Sequence, residues 1–345
     1  LASEGPRRRA DSVPAMSADG DQVRFAGLDK AFAPVGVGCW AWGDRSTWGM
    51  GGYDSTLSEA TIAEAFEASI AAGVTLFDTA EVYGGGESER IIGRLLAATD
   101  VALDDLVLAT KFMPSPWKLN VKAALRAAAE GSLERLGIDR IDLYQIHGPV
   151  SLRSHGALAE ALAAVVHDGL VGAVGVSNYS VREMEAIHGE LAQRNVALAS
   201  NQIEFSILRR SPESSGLIAA CQRLGVVPLA YSPIAQGRLT GKYSAANPPP
   251  GNRTFSAHPM ERVDPIVAEL REIGDAHDDR TPSQVALRWL IQKGAVPIPG
   301  AKNARQAEQN AGALGWALST DELARIDGLA IEGTRTLKGR IWQHG

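Results

Sequence analysis

The sequence predicts an α/β fold: a single (β/α)8 TIM barrel of eight parallel strands, with long βα loops at the carboxyl ends of the strands. Two observations lead to this prediction. From residue 22 onward, short apolar runs alternate with longer amphipathic runs, and eight such pairs follow one another. The apolar runs are continuous rather than alternating, as expected for parallel strands that helices cover.

Each strand is predicted from a short run of β-branched and other apolar residues. The strands are expected at 35–39, 74–78, 106–110, 141–146, 171–176, 197–201, 226–231 and 295–298. Each helix is predicted from an amphipathic run, and the first has Ser58 as its N-cap and stops at Gly73. The helices are expected at 58–72, 87–97, 121–136, 156–168, 181–193, 212–224, 264–277, 282–293, 303–313 and 320–330. The connection 238–262 is long for a βα loop, and such loops commonly carry function.

The composition indicates one globular domain over 23–345. Hydrophobic residues make up 45% and charged residues 21% of the chain, which is ordinary for a protein with a full core. The net charge of −6 argues against a nucleic-acid binder, because such proteins present a basic face. Two distant cysteines, Cys39 and Cys221, predict a reducing compartment without disulfides or bound metal. No apolar run approaches the roughly 18–20 residues that span a bilayer, so we expect a soluble protein.

The segment 1–22 stands apart from the predicted barrel. It contains Arg7, Arg8 and Arg9 among small polar residues and has no periodic apolar pattern. We predict a disordered or processed segment here. A residual organelle transit peptide and an ordinary disordered tail both fit this composition, although acidic residues weaken the first alternative.

Polar residues at the carboxyl ends of the predicted strands form a candidate active site, because barrel enzymes carry their catalytic groups there. Asp78 ends the second strand, Lys111 the third and His147 the fourth, and Tyr83 lies in the glycine-rich loop after Asp78. A lysine cation held by Asp78 is expected to lower the pKa of Tyr83 from its ordinary value of about 10. A neutral His147 can donate a hydrogen bond to a carbonyl oxygen that gains charge. Each residue alone has a structural alternative, but the four together suit carbonyl reduction.

Three other patterns fail in their context. The run Gly36–Ala41 matches the dinucleotide-binding pattern after a strand, but no helix is expected to follow it. The run Gly237–Lys242 is one residue short of a phosphate-binding P-loop. None of the seven histidines has the spacing of a barrel metal site, so no metal is expected.

From about residue 23 onward, the chain resembles the aldo-keto reductases. The resemblance rests on FDTAEVYGGGESERIIG (77–93), ATK (109–111), DRIDLYQIHGP (139–149), VGVSNYS (174–180), ASNQIEFS (199–206), YSPIAQGRLTGKY (231–243) and PIPGAKNARQAEQNAGALGW (297–316). The segment 40–49 and the run from Ser232 to Pro249 are similar to the plant and algal chloroplast branch, which includes pyridoxal reductase-like members.

The resemblance implies a catalytic tetrad of Asp78, Tyr83, Lys111 and His147, with Tyr83 as the general acid. It also implies NADPH across the barrel mouth, with Tyr231 stacked on the nicotinamide and its carboxamide held by Ser177, Asn178 and Gln202. The remaining implied cofactor contacts are Gly38, Cys39 and Trp40 beneath the ring, Ser232, Pro233, Ile234, Gln236, Gly237 and Lys242 along the pyrophosphate, and Gly300, Lys302, Arg305, Gln306, Gln309 and Asn310 around the adenosine.

The adenosine end of the implied site also follows from the residues. Gly300 opens a loop before a predicted helix, and a helix N-terminus binds anions readily. Lys302, Arg305 and Gln306 add groups for a 2′-phosphate, which favours NADP over NAD. The chain has Gln309 before Asn310 where the family often has Glu, so the adenine contact is expected to differ.

The substrate is a small carbonyl compound that the sequence does not specify, and pyridoxal is suggested by resemblance alone. Two alternatives stay open for the tryptophans. An aromatic wall at the mouth could consist of Trp40, Trp42, Trp48 and Trp117, or Trp42 and Trp48 could only pack the first loop. The superfamily also offers two alternatives without turnover: an NADPH-binding regulatory subunit, like potassium-channel β subunits, and a structural plastid protein. The complete tetrad favours an enzyme. A chloroplast stroma location follows from the resemblance only; otherwise the protein is cytoplasmic.

Overall fold

A computed structural model describes residues 22–43, 57–250, 258–331 and 342–345. A short antiparallel hairpin precedes the barrel and consists of β1 (Val23–Arg24) and β2 (Ala31–Phe32). The sequence does not predict this hairpin, because strands of two residues are too short to show a periodicity. Segment 1–21 and Trp48 lie outside the described residues, so the predictions made for them stay predictions.

Eight parallel strands form the barrel, and each pairs with the next along the chain. The strands are β3 (Gly36–Gly38), β4 (Leu76–Asp78), β5 (Val107–Phe112), β6 (Ile141–Ile146), β7 (Val171–Ser177), β8 (Leu198–Glu204), β9 (Val227–Tyr231) and β10 (Val296–Pro297). The backbone N–H of Gly38 donates to the carbonyl of Pro299 at 3.0 Å, which joins the last strand region to the first. The predicted (β/α)8 barrel is therefore confirmed.

Helices surround this barrel, most of them at the predicted places. They are α1 (Trp40–Gly43), α2 (Glu59–Ala71), α3 (Glu87–Ala98), α4 (Val121–Leu136), α5 (His155–His167), α6 (Val181–Ala192), α7 (Ser211–Ser214), α8 (Leu217–Leu224), α9 (Met260–Asp275), α10 (Pro282–Gln292), α11 (Ala304–Ala311) and α12 (Thr320–Gly328). As predicted, Ser58 caps α2, with its side chain accepting from the N–H of Thr61. Among the described residues, no helix is both long and apolar enough to cross a bilayer.

Three helix predictions need correction. The single helix expected at 212–224 is broken into α7 and α8, because Gly216 adopts a left-handed φ of 78° between them. Helix α9 begins at Met260 rather than 264 and carries Pro265 within its second turn. No helix was expected after the Gly36–Ala41 run, and this expectation is wrong. The one-turn helix α1 begins at Trp40, within the run, and continues to Gly43.

The barrel interior changes from apolar to polar along its axis. Near the amino ends of the strands it is filled by Leu76, Val107, Leu143, Ala173, Ala199, Leu229, Val296 and the hairpin residues Phe25 and Phe32. Side chains alternate along a strand, so the sequence Val107, Ala109, Lys111 carries the interior from an apolar layer to a charged one. The polar layer lies at the carboxyl ends, where the candidate site was predicted.

Candidate active site

The structure brings the four predicted tetrad residues together at the barrel mouth. The Lys111 Nζ donates to Asp78 Oδ2 at 2.5 Å and to the Thr79 carbonyl at 2.7 Å. It lies 3.4 Å from the Tyr83 hydroxyl. The rings of Tyr83 and His147 meet edge to face, with centroids 5.5 Å apart. A lysine, a tyrosine and a histidine therefore converge on one point, as an acid and a hydrogen-bond donor for one substrate atom would need to.

The glycine-rich loop after β4 sets the position of Tyr83. Tyr83 begins a tight turn, Tyr83–Gly86, in which Gly84 and Gly85 have φ values of 60° and 64°. These left-handed conformations are costly for residues with a Cβ. At Gly84 a Cβ would also lie 2.0 Å from the carbonyl oxygen of Gly43, so no side chain fits there. The glycines let the turn pack against α1 and present the tyrosine to Lys111.

Two buried glutamines hold Asp78 in place. Asp78 Oδ1 accepts from Gln145 Nε2 at 3.0 Å and from Gln202 Nε2 at 2.9 Å, while its other oxygen binds Lys111. The prediction names Gln202 as a cofactor contact but misses Gln145. A signal for Gln145 is present, because it is an uncharged polar residue in a predicted buried strand and lies two positions before His147, on the same face of the strand. Both carboxylate oxygens are thus satisfied by buried donors.

Burial sets the protonation of the tyrosine. The pKa of Tyr83 is raised above its ordinary value, because the loss of solvent outweighs the lowering effect of the Lys111 charge. The expectation of a net lowering is therefore wrong, although the effect of the lysine has the expected sign. For Lys111, burial alone would lower the pKa, but Asp78 and Tyr83 together raise it. The pair consists of a protonated tyrosine beside a charged lysine.

His147 is a neutral imidazole at physiological pH. Burial, together with the neighbouring Lys111 charge, lowers the pKa of His147 well below its ordinary value. Its Nδ1 atom is buried and has no hydrogen-bond partner among the described residues. Such an orphaned polar atom is costly unless a bound molecule satisfies it, so the site fits a polar ligand beside His147.

The four residues expected to hold the nicotinamide form one hydrogen-bonded group next to the tetrad. The Tyr231 hydroxyl donates to Asn178 Oδ1 at 2.9 Å, and Asn178 Nδ2 donates to Ser177 Oγ at 3.2 Å. Ser177 Oγ in turn donates to the backbone carbonyl of Gln202 at 2.9 Å. Asn178 has a left-handed φ of 62°, which turns its side chain back toward the mouth. Cys39, which is also a predicted cofactor contact, is buried, and its N–H donates to the Asp78 carbonyl. Trp40 follows it at the start of α1.

The loop after β9, expected along the pyrophosphate, has an unusual backbone. Ser232, Ala235 and Gln236 have φ values of 50°, 49° and 52°, and Gly237 follows with 92°. Non-glycine residues in this region store strain, and successive turns of this kind expose backbone N–H groups to anions. In this loop, however, the N–H groups of Ala235 and Gly237 donate to the carbonyls of Ser232 and Ile234, each at 2.9 Å. The predicted residues Pro233 and Ile234 lie within it, and Lys242 follows it with its Nζ 5.5 Å from the centre of the Tyr243 ring.

The residues expected at the adenosine end surround the start of α11. Asn303 caps the helix, and the Gln306 side chain accepts from the N–H of Lys302 at 3.0 Å. Asn310 Nδ2 donates to the carbonyl of Gly300 at 3.3 Å, which ties the loop to the helix. Arg305 is exposed, and Gln309 is half-buried one turn further on. Gly300, Lys302 and Gln306 thus meet at one helix N-terminus.

Among the described tryptophans, Trp42 and Trp117 do not join the aromatic wall that one alternative proposed, and Trp48 lies outside the described residues. Trp42 is buried, and its Nε1 donates to the carbonyl of Ala301 at 2.7 Å, so it packs the first loop. Trp117 is 77% exposed on the loop after β5. Sequence reasoning missed a further tryptophan, Trp342, whose ring centre lies 5.9 Å from that of His147. No local pattern marks Trp342, because it is brought to the site from the distant end of the chain.

Comparison with known proteins defines the class. Residues 34–331 match the model of the aldo/keto reductase family. The fold and this match define an oxidoreductase that interconverts carbonyl and alcohol groups. The chain belongs to the aldo/keto reductase family, as its resemblance had indicated.

Individual relatives support this assignment over most of the chain. The chain is 37% identical over 324 residues to the chloroplastic pyridoxal reductase of Arabidopsis thaliana, covering 90% of this chain and 87% of that protein. It is 32% identical over 290 residues to the L-glyceraldehyde 3-phosphate reductase of Escherichia coli (strain K12). This match covers 79% of this chain and 83% of that protein.

Solved structures give the same result. The aldo/keto reductase of Klebsiella pneumoniae in complex with NADP and acetate superimposes with a TM-score of 0.70 at 28% identity, covering 91% of this chain and 96% of that one. The glycerol dehydrogenase of Gluconobacter oxydans superimposes with a TM-score of 0.77 at 27% identity. The match covers 92% of this chain and 99% of that one. The expectation of a nicotinamide cofactor agrees with the NADP that the Klebsiella enzyme holds.

Proposed function

We propose that this enzyme reduces an aldehyde or ketone to an alcohol with NADPH, using Tyr83 as the general acid. The observation that carries the proposal is the fully buried Lys111, which joins Asp78 to the Tyr83 hydroxyl beside a neutral His147. A lysine cation is buried without solvent only where a specific arrangement compensates its charge. NADPH, when bound, supplies the hydride that the carbonyl carbon receives.

The residues of the chain then handle the proton and the charge. The Tyr83 hydroxyl donates its proton to the carbonyl oxygen, and the tyrosinate that remains is stabilised by the Lys111 cation 3.4 Å away. His147, being neutral, donates a hydrogen bond to the same oxygen while negative charge develops on it. Asp78 keeps Lys111 charged and oriented, and Gln145 fixes Asp78 in turn.

The described residues fit the cofactor. The group formed by Ser177, Asn178 and Gln202 provides amide and hydroxyl groups for a carboxamide. Lys242, which follows the strained loop at Gln236, supplies positive charge for a pyrophosphate. Lys302, at the N-terminus of α11, supplies charge for a 2′-phosphate, which favours NADPH over NADH.

The substrate class is a small aldehyde, and pyridoxal leads the candidates. Support comes from the Arabidopsis relative, whose name gives pyridoxal as its substrate, and from the Escherichia coli relative, which is named for a small aldehyde. The chloroplastic Arabidopsis relative also supports a plastid location for this chain. Imaging of a full-length fluorescent fusion in plant cells tests that location, and cytosolic fluorescence alone would contradict it.

The first test follows NADPH oxidation with a panel of aldehydes that includes pyridoxal, with NADH in parallel. Tyr83→Phe is expected to lower turnover about 10²- to 10⁴-fold, since it removes the proton donor, and to leave NADPH binding intact. Tyr144→Phe is the matched control, because the buried Tyr144 hydroxyl has no hydrogen-bond partner among the described residues. Undiminished turnover of Tyr83→Phe would contradict the mechanism. Tight NADPH binding without turnover on any aldehyde would favour a regulatory role instead.

A further inference from the structure

The last described segment, Trp342–Gly345, lies across the barrel mouth and contacts the ends of four neighbouring strands. The Trp342 ring packs against His147 and over Gly148, beyond the end of β6. The His344 N–H donates to the Asn178 carbonyl at 3.2 Å, beyond β7. Between them, Gln343 reaches the ends of β8 and β9. The segment is therefore attached directly to residues assigned to the nicotinamide.

Gln343 makes the contacts that carry the inference. Its Nε2 donates to the carboxylate of Glu204, which is buried at the end of β8. The same nitrogen donates to the Tyr231 hydroxyl at 3.1 Å. Both N–H groups of the amide are therefore used, one on each partner.

Glu204 pairs with Arg209, whose Nε lies 3.6 Å from Glu204 Oε2, and this charged carboxylate decides which way the Gln343 amide points. An ionised carboxylate only accepts hydrogen bonds, so it selects the NH2 end of the amide and not the oxygen. The Tyr231 oxygen must then accept from Gln343, and its own proton is left to donate to Asn178 Oδ1 at 2.9 Å. If Gln343 presented its oxygen instead, Tyr231 would donate to it and Asn178 would lose its donor.

The same direction continues through the nicotinamide group. With its oxygen occupied by Tyr231, Asn178 presents Nδ2 to Ser177, and the Ser177 hydroxyl donates to the Gln202 carbonyl. Hydrogen bonds thus run in one sense from Gln343 through Tyr231, Asn178 and Ser177 to Gln202. The contact between Gln343 and Glu204 therefore determines which atoms of the nicotinamide-binding group act as donors and which as acceptors toward a carboxamide.

We propose that Gln343, oriented by Glu204, is a positioning residue that sets the donor and acceptor order of the nicotinamide-binding group through Tyr231. The inference rests on the proposed function, because it assigns Tyr231, Asn178 and Ser177 to the cofactor. Gln343 contacts Glu204 and Tyr231 and not the catalytic tetrad. It acts by fixing the Tyr231 ring and the rotamer of the Asn178 amide before the cofactor arrives.

The test measures NADPH affinity by binding, from the change in cofactor fluorescence, in parallel with kcat and KM. Gln343→Met keeps the length of the side chain and removes both donors. We expect the Kd of NADPH to rise about 5- to 10-fold, as for the loss of one hydrogen bond, with a smaller change in kcat. The matched control is Gln193→Met, at the exposed C-cap of α6, which is expected to leave the Kd unchanged.

A reciprocal variant separates positioning from simple attachment of the segment. In Glu204→Gln combined with Gln343→Glu, the two side chains can still hydrogen-bond to each other, but the residue facing Tyr231 can only accept. Because Glu204→Gln also removes the carboxylate that pairs with Arg209, the reference for thermal stability is Glu204→Gln alone. We expect the double variant to be more stable than that single variant while the Kd of NADPH stays raised. Recovery of wild-type affinity would overturn the proposal, and so would an unchanged Kd in Gln343→Met.

The same measurements separate this inference from the proposed function. A wild-type chain that binds NADPH but reduces no aldehyde would overturn the proposed reductase and leave the affinity comparison decisive for Gln343. A wild-type chain that does not bind NADPH would overturn both.

Discussion

At the scale of single residues, the site is governed by how each buried charge is compensated. The Lys111 side chain has no exposed surface, yet its three N–H groups meet Asp78, the Thr79 carbonyl and Tyr83. Such a cation stabilises the fold only while every partner is present, because removing one partner leaves an uncompensated buried charge. This arrangement holds Tyr83 next to a positive charge, while burial keeps its hydroxyl protonated.

The protonation of His147 gives a prediction about pH. Because its pKa is lowered well below about 6.5, no ionisation of His147 is expected in the activity between about pH 6 and 8. The raised pKa of Tyr83 likewise keeps the acid protonated there, so reduction should weaken only above about pH 10. We expect kcat/KM for the carbonyl to be flat across neutral pH. An inflection near 6.5 that disappears in His147→Gln would contradict the neutral imidazole.

The same shift affects stability, with a definite sign. A histidine whose pKa is lowered on folding binds fewer protons in the folded state, so the free energy of unfolding falls as pH drops below about 6.5. His147→Gln removes this contribution. Urea unfolding at about pH 5 and 7 is expected to show a smaller loss of stability on acidification in the variant than in the wild type.

At the scale of elements, the turn Tyr83–Gly86 connects the strand that carries Asp78 to helix α3. Its glycines serve two different purposes. Gly84 and Gly85 both adopt left-handed φ values, but only Gly84 approaches another backbone, that of Gly43. The turn therefore contains a matched pair of positions that differ in packing and agree in conformation.

This pair makes a sharp test of how the turn positions Tyr83. Gly84→Ala is expected to displace the turn from α1, since its Cβ would lie 2.0 Å from the Gly43 oxygen, and to lower kcat at least about tenfold. Gly85→Ala meets no atom within 4 Å and should cost only about 1–2 kcal/mol of conformational strain. Steady-state kinetics and thermal unfolding measure both. Equal loss of activity in the two variants would show that strain, and not packing, controls the tyrosine.

At the scale of the whole molecule, the two ends of the barrel have separate roles. The hairpin β1–β2 closes the amino end, where the rings of Phe25 and Phe32 lie 4.8 Å apart. Lys30 fixes the hairpin by donating to the carbonyls of Leu103 and Leu106 and pairing with Asp142 at 2.9 Å. The proposed active site lies at the opposite end, so stability and activity should respond to different substitutions.

Phe25→Ala tests this separation. Phe25 is 1% exposed, so its truncation leaves a cavity and is expected to lower the free energy of unfolding by about 3–5 kcal/mol. The KM values of the folded fraction should remain unchanged, because the site lies at the other end of the barrel. Trp117→Ala is the control for stability, since an exposed ring should cost less than about 0.5 kcal/mol. Phe25→Leu gives a milder variant that retains the fold, and a large change in its KM would contradict the separation.

Much of this protein follows from the sequence by itself. Strands and helices follow from short-range periodicity and from caps such as Ser58, because these signals act within a few residues. The predictions of Asp78, Lys111 and His147 as neighbours follow from their place at successive strand ends, because parallel strands in a barrel end at one rim.

Other features depend on contacts between residues far apart in the chain, and these contacts form only in the folded barrel. Trp42 packs the first loop because Ala301 accepts its N–H, and Gln145 supports Asp78 from another strand. The pKa of Tyr83 rises because burial outweighs the lysine, a balance that no local pattern contains. Gln343 reaches Tyr231 from more than one hundred residues away in the chain. The folded barrel determines which groups are buried and which partners the buried polar groups have. The chain acquires these properties only when the barrel closes.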